Sequence, residues 1–91
     1  MKLYYEGSKT IMKEDNTQLR VEYYLVEVEK VDKDLLYGIK LTEQKNQCFT
    51  AEYTEPISYS KAEVKKIVHT LWCNSVTISS LNEIVDELIS N

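Results

Sequence analysis

The alternation of apolar and polar residues is clearest between residues 19 and 31 and predicts a long β-strand there. Apolar side chains occupy every second position at its start: Leu19, Val21, Tyr23 and Leu25. One face of this strand is therefore expected to be buried. The phase then changes, because Val26 and Val28 are the next apolar residues and Glu27 and Glu29 take the other side. Such a change indicates either a β-bulge or a strand that is half covered on each face.

Three other segments are predicted to be strands. Residues 3–12 carry β-forming side chains on both sides of Gly7 and form either one long strand or two short ones. In residues 35–42, one side carries Leu35, Tyr37, Ile39 and Leu41, which alternate with Gly38, Lys40 and Thr42. Residues 48–54 form a weaker strand with three side chains on one side: Phe49, Ala51 and Tyr53. Short polar turns separate the strands, which indicates an antiparallel meander within residues 1–55.

Two amphipathic helices are predicted after Pro56. Ser60 and Glu63 form a capping box, so the first helix is expected at about residues 60–74, with a stripe of Val64, Ile67, Val68, Leu71 and Trp72. The second is expected at about 78–90, with Thr77 as its N-cap and a stripe of Ile78, Leu81, Ile84, Val85 and Leu88. The chain is thus predicted to be a single α+β domain over residues 1–91. About four antiparallel strands are followed by two C-terminal helices packed on one face of the sheet.

Charge and composition exclude several classes of function. The chain has 11 basic and 15 acidic side chains, a net charge of −4, and Arg20 as its one arginine. Nucleic-acid binding needs clustered Lys and Arg, so no nucleic-acid partner is expected. No apolar run approaches the ~20 residues of a membrane span, and the charged start of the chain does not suit a signal peptide. We therefore expect a cytoplasmic protein with no membrane partner.

The sequence offers little for cofactor or metal chemistry. With only two glycines it contains no glycine-rich phosphate loop, and no cofactor is expected. His69 and Cys73 lie one helical turn apart and could share a metal ion with Cys48, or form a nucleophile and base, but there is no C-x-x-C motif. A small-ligand protein, or a thiol- or metal-dependent one, using these three residues is the alternative hypothesis. The preferred prediction is a protein that is not an enzyme.

Seven tyrosines in 91 residues are the most informative feature of the composition. Several apolar side chains fall on the sheet face opposite the expected helices: Tyr24, Val26, Val28 and Leu36. If both helices cover the other face, these four residues form an open apolar surface of the kind that binds a partner. The competing interpretation is that the N-terminal strand, a bulge or residues 55–59 cover them. The first interpretation predicts an interaction or regulatory domain that binds another protein or a second copy of itself, through this face or through a sheet edge.

Four short strings resemble those of small clostridial (Firmicutes) proteins grouped as an uncharacterised domain of unknown function. They are Arg20-Val21-Glu22-Tyr23-Tyr24-Leu25, Tyr37-Gly38-Ile39, Asn74-Ser75-Val76-Thr77 and Val85-Asp86-Glu87. The resemblance spans roughly residues 15–90. It implies a bacterial cytoplasmic origin and brings no catalytic residue, cofactor or activity.

Overall fold

The computed structural model describes residues 1–90 and shows a four-stranded sheet with its helices on one face. The strands lie in chain order and each is antiparallel to the next, which confirms the predicted meander and the α+β class. The elements are β1 (Lys2–Met12), β2 (Gln18–Glu29), β3 (Leu35–Lys45), β4 (Cys48–Tyr53), α1 (Lys61–Cys73), a 3₁₀ turn (Ile78–Ser80) and α2 (Leu81–Ile89).

The three hairpin turns are built without glycine. Each contains one residue with positive φ: Asn16 at 65°, Lys33 at 70° and Asn46 at 55°. Aspartate side chains support two of the turns. Asp15 accepts a hydrogen bond from the Thr17 amide at 3.0 Å, and Asp32 accepts one from the Asp34 amide at 3.2 Å. These Asx-type bonds hold the chain in the turn conformation at positions where glycine is absent.

The bulge in the sheet lies in β1. Residues 2–12 form one strand, whose register with β2 shifts between Tyr5 and Gly7. The register between β2 and β3 is unbroken from Leu19 to Glu29, so a bulge in β2 is the wrong explanation for its phase change. The second explanation is correct, since Leu25 and Val26 point to opposite faces and both are buried.

The core lies between the sheet and the helices. Tyr23 is fully buried there, and its hydroxyl donates a 2.8 Å hydrogen bond to the Val76 carbonyl just after α1. Burial, and then the nearby charge of Glu43, raises the pKa of Tyr23 to about 12. The sheet contributes Leu19, Val21, Tyr23, Leu25, Tyr37, Ile39 and Leu41, and the helical part contributes Val64, Val68, Leu71, Val76, Leu81 and Val85.

Both predicted residues, Ser60 and Thr77, lie at N-cap positions, but only Ser60 makes a side-chain capping bond. The Ser60 side chain accepts a hydrogen bond from the Glu63 amide at 3.3 Å, as the capping box predicts. Thr77 makes no side-chain capping bond. The Glu43 carboxylate on β3 accepts from the Ile78 amide instead, so a tertiary contact begins the 3₁₀ turn and α2 starts only at Leu81. In residues 1–90, neither helix is long and apolar enough to cross a membrane.

Candidate functional site

The face of the sheet opposite the helices, here called the helix-free face, is organised in rows that run across the strands. Strand register places side chains from neighbouring strands directly opposite each other on this face. Its central row, here called the aromatic row, contains one residue from each strand in the order Tyr5, Tyr24, Lys40 and Tyr53. The aromatic row therefore crosses the whole width of the sheet.

Side-chain contacts join the members of the aromatic row. The rings of Tyr5 and Tyr24 meet edge to face, with centroids 5.6 Å apart. The Lys40 ammonium lies 5.5 Å from the ring centroid of Tyr24 and 5.1 Å from that of Tyr53. These are attractive ring–ring and cation–π geometries, so the row is a preorganised surface of large side chains.

Next to the aromatic row, the Glu22 side chain connects several polar groups of the helix-free face. This carboxylate accepts hydrogen bonds from the Tyr24 hydroxyl at 3.0 Å and the Thr42 hydroxyl at 3.3 Å, and it lies 3.6 Å from the Arg20 guanidinium. Burial, and then the bond to Glu22, raises the pKa of Tyr24 above its ordinary value. The Tyr24 hydroxyl therefore remains a donor at neutral pH, and its ring is fixed in the aromatic row.

The four residues predicted from sequence all lie on the helix-free face, with different exposure. Val26 is only 4% exposed, whereas Tyr24, Val28 and Leu36 are partly buried. Val26 pairs with Gly38, and a side chain at Gly38 would meet Thr54 Oγ1 at 3.2 Å. The same position lies against the backbone of residues 55 and 56. The segment after β4 thus covers this part of the face, and a charge at Val26 would disturb folding.

The exposed large side chains of the helix-free face are concentrated towards its edges. Tyr5 on β1 is 55% exposed, and Tyr53 and Phe49 on β4 are 43% and 65% exposed. All six residues of β4 are exposed, including those that point towards the helical side. The available binding surface therefore comprises the aromatic row and its continuation along β4.

His69, proposed above as a metal ligand or base, makes its contacts with β1. Its Nε2 lies 3.3 Å from Glu6 Oε1, and Lys65 Nζ lies 3.9 Å from the same oxygen. The Glu6 side chain is 11% exposed and sits in the β1 bulge. Trp72 packs beside the His69 ring and donates a 2.9 Å hydrogen bond to the Ser8 carbonyl. These contacts connect α1 to β1 and account for His69 in structural terms.

Both cysteines are exposed and free, Cys48 at the start of β4 and Cys73 at the end of α1. Within residues 1–90, no group of three or more His, Cys, Asp or Glu side chains is placed to hold a metal ion. The contacts of the His69 ring are with Glu6 and Trp72, and not with the thiol of Cys48 or Cys73. The alternative hypothesis built on these three residues gains no supporting geometry.

Sequence reasoning missed three members of the surface: Tyr5, Lys40 and Tyr53. Tyr53 was placed correctly on one side of the fourth strand together with Phe49 and Ala51, as the register confirms. The missing signal was the alignment between strands, which depends on the length of each turn and on the bulge in β1. Given that alignment, the surplus of tyrosine alone would have pointed to the aromatic row.

Comparison with known proteins places the chain in a family. No curated protein and no solved structure matches it. One family model, described as a family of unknown function (DUF6514), matches residues 2–91. The match covers all but the first residue, and thus every element described above. The chain belongs to this family of unknown function.

Proposed function

We propose that this domain is a non-enzymatic protein–protein interaction module and that the helix-free face, with β4 at its edge, is the binding surface. The aromatic row carries the proposal. Tyrosine and other large aromatic side chains are enriched where proteins bind each other, because a rigid ring buries much area at little entropic cost. The contacts with Lys40 hold the rings of Tyr24 and Tyr53 in place before any partner arrives.

The two faces of the sheet differ in what covers them, and this difference favours the same binding surface. The opposite face is filled by the helices and by a continuous core. The aromatic row, by contrast, is ordered by side-chain contacts yet leaves Tyr5 and Tyr53 substantially exposed. An aromatic surface that stays exposed to water lowers solubility, and a bound partner removes this effect by covering the surface. The exposure of the aromatic row therefore supports a binding role. The resemblance to small clostridial proteins supports a setting in the bacterial cytoplasm.

A photo-crosslinking experiment tests the proposal directly. Benzoylphenylalanine replaces Tyr5 or Tyr53 in the protein expressed in its native cells, and Tyr59 serves as the matched control. Tyr59 is also an exposed tyrosine, but it lies before α1 and contacts Lys30 outside the aromatic row. We expect most protein adducts from position 53 at the β4 edge, fewer from position 5 at the far end of the row, and none from 59. Equal adducts from all three positions, or none from 5 and 53, would overturn the proposed function.

A further inference from the structure

We propose that β4 pairs antiparallel with β4 of a second copy of this chain, about a two-fold axis at Ala51, to form a continuous eight-stranded sheet. This inference rests on the proposed function and specifies its partner. The observations behind it are the composition of β4, the alignment of its side chains with the rest of the helix-free face, and the small number of registers that a two-fold axis permits.

The edge presented by β4 lacks most of the features that usually prevent edge pairing. Lysine, proline, bulges and covering helices commonly protect edge strands. The β4 segment, Cys48-Phe49-Thr50-Ala51-Glu52-Tyr53, contains no lysine or proline, and its register with β3 is unbroken. Its one charged residue is Glu52. The backbone groups along its outer side are therefore accessible to another strand.

Symmetry restricts the register of self-pairing to a few choices. In an antiparallel pair, directly opposite residues lie on the same face of the sheet. The two-fold axis must therefore lie midway between two copies of the same residue, and that residue defines the register. An axis at Glu52 places two carboxylates opposite each other, which is repulsive. An axis at Thr50 places Phe49 opposite Ala51 and leaves Tyr53 beyond the partner strand. An axis at Ala51 avoids both defects.

The register centred on Ala51 is favourable along its whole length. Phe49 faces Tyr53 of the second copy, and this aromatic pair occurs twice because of the symmetry. Thr50 faces Glu52, so no like charges are directly opposite. Aromatic cross-strand pairs contribute to sheet stability, whereas like charges directly opposite reduce it.

The same register extends the aromatic row into the second copy. The row ends at Tyr53 on β4. This residue is 43% exposed, and its ring centroid lies 5.1 Å from the Lys40 ammonium. Phe49 of the partner copy becomes the next member of that row, so that the most exposed aromatic side chain of the helix-free face gains a neighbour. Two aromatic rows then flank the axis, and the helices of both copies lie on the same side of the sheet.

Cysteine crosslinking tests both the partner and the register. In a Cys48→Ser, Cys73→Ser background, Ala51→Cys places two thiols directly opposite each other, with Cα atoms about 4.5–5.5 Å apart, within disulfide range. Thr50→Cys is the matched control, because its two copies are diagonal neighbours at about 7–8 Å. In a glutathione redox buffer we expect at least tenfold more disulfide-linked dimer from Ala51→Cys than from Thr50→Cys.

Charge at the axis provides a second test that needs no disulfide. Ala51→Lys places two ammonium groups opposite each other, and Thr10→Lys adds the same charge on β1, at the other edge of the same face. In sedimentation experiments with the otherwise unmodified chain, we expect Ala51→Lys to raise the dimer dissociation constant at least tenfold. Thr10→Lys should leave it within about twofold.

The outcomes separate this inference from the proposed function. Preferential crosslinking through Thr50→Cys, or equal effects of the two lysine substitutions, would overturn the Ala51 register. A wild-type chain that stays monomeric while benzoylphenylalanine at Tyr53 captures a different protein would overturn self-pairing and leave the proposed function intact. No protein adduct from Tyr5 or Tyr53 would remove the proposed function itself.

Discussion

The two edge strands of this sheet, β1 and β4, differ in regularity and in their contacts with the rest of the chain. β1 contains a bulge, and Glu6 in that bulge meets Lys65 and His69 of α1. Trp72 packs on Gly7, at which a Cβ would lie 3.0 Å from the indole nitrogen. β4 pairs regularly with β3, and all of its residues are exposed. One edge is thus closed by a bulge and a helix, and the other is left available.

This difference indicates which edge of the sheet the proposed pairing uses. Lys9 adds protection to β1, since its ammonium lies 5.4 Å from the Trp72 ring and donates to the Cys73 carbonyl at 3.4 Å. A bulge, lysines and a covering helix each discourage edge pairing. Their concentration on β1 is the reason why the proposed strand addition is assigned to β4. We infer that the asymmetry allows one pairing and blocks open-ended growth of the sheet.

The largest expected effect on stability comes from removing the anchor of β1. Trp72→Ala should lower the free energy of unfolding by about 3 kcal/mol, through lost packing and the lost hydrogen bond to Ser8. Phe49→Ala on β4 is the control and should change it by no more than about 0.5 kcal/mol. Urea denaturation at low micromolar concentration compares the two variants. Equal losses would contradict the difference between the edges.

Gly7→Ala tests the bulge with a smaller change in side-chain volume than Trp72→Ala. Its new methyl group would lie 3.0 Å from Trp72 Nε1 and 3.2 Å from its Cδ1, so the indole must shift. We expect a loss of about 2 kcal/mol, typical of overpacking. The change in indole environment should also appear in the tryptophan fluorescence, since Trp72 is the only tryptophan. An unaltered spectrum and wild-type stability would show that the close approach is unimportant.

Tyr23→Phe weakens the attachment of the helical layer without touching either edge. The Val76 carbonyl loses its buried donor, and we expect a loss of about 1.5 kcal/mol at neutral pH. The raised pKa of Tyr23 means that its folded-state contribution is present below pH 10 and is lost as the pH rises towards about 12.

The pH dependence supplies the control for this variant. Stability curves of wild type and Tyr23→Phe should converge between pH 10 and 12, because the other ionisable groups are shared. Dimer formation through β4 should be unchanged at neutral pH. Curves that stay parallel over this range would contradict the assigned role of the hydroxyl.

The sequence was sufficient to predict the elements and faces that depend on local pattern. The alternation from Leu19 to Leu25 identified the covered face of β2, and Ser60 with Glu63 identified the start of α1. Both are properties of residues close together in the chain. The register of antiparallel strands joined by short turns is not local to the same degree, so the aromatic row was not predicted.

Long-range contacts explain the remaining differences. The bulge in β1 places Glu6 and Gly7 against His69 and Trp72 of α1, more than 60 residues away in sequence. The start of the final helical segment depends on Glu43, 35 residues before Ile78. Val26 is buried beside Gly38, and the chain after β4 lies against the Gly38 position. Each outcome depends on how distant segments meet, and single-sequence patterns do not encode that directly.

Pairing of β4 between two copies is tested most directly by an isotope-filtered nuclear Overhauser experiment on a mixture of labelled and unlabelled protein. Only contacts between different copies give signals in such a mixture. The Ala51 register predicts cross-peaks between the Phe49 ring of one copy and the Tyr53 ring of the other, with amide shifts of β4 that change with concentration. The absence of these cross-peaks at millimolar concentration, with β4 shifts independent of concentration, would contradict the pairing of β4 with a second copy.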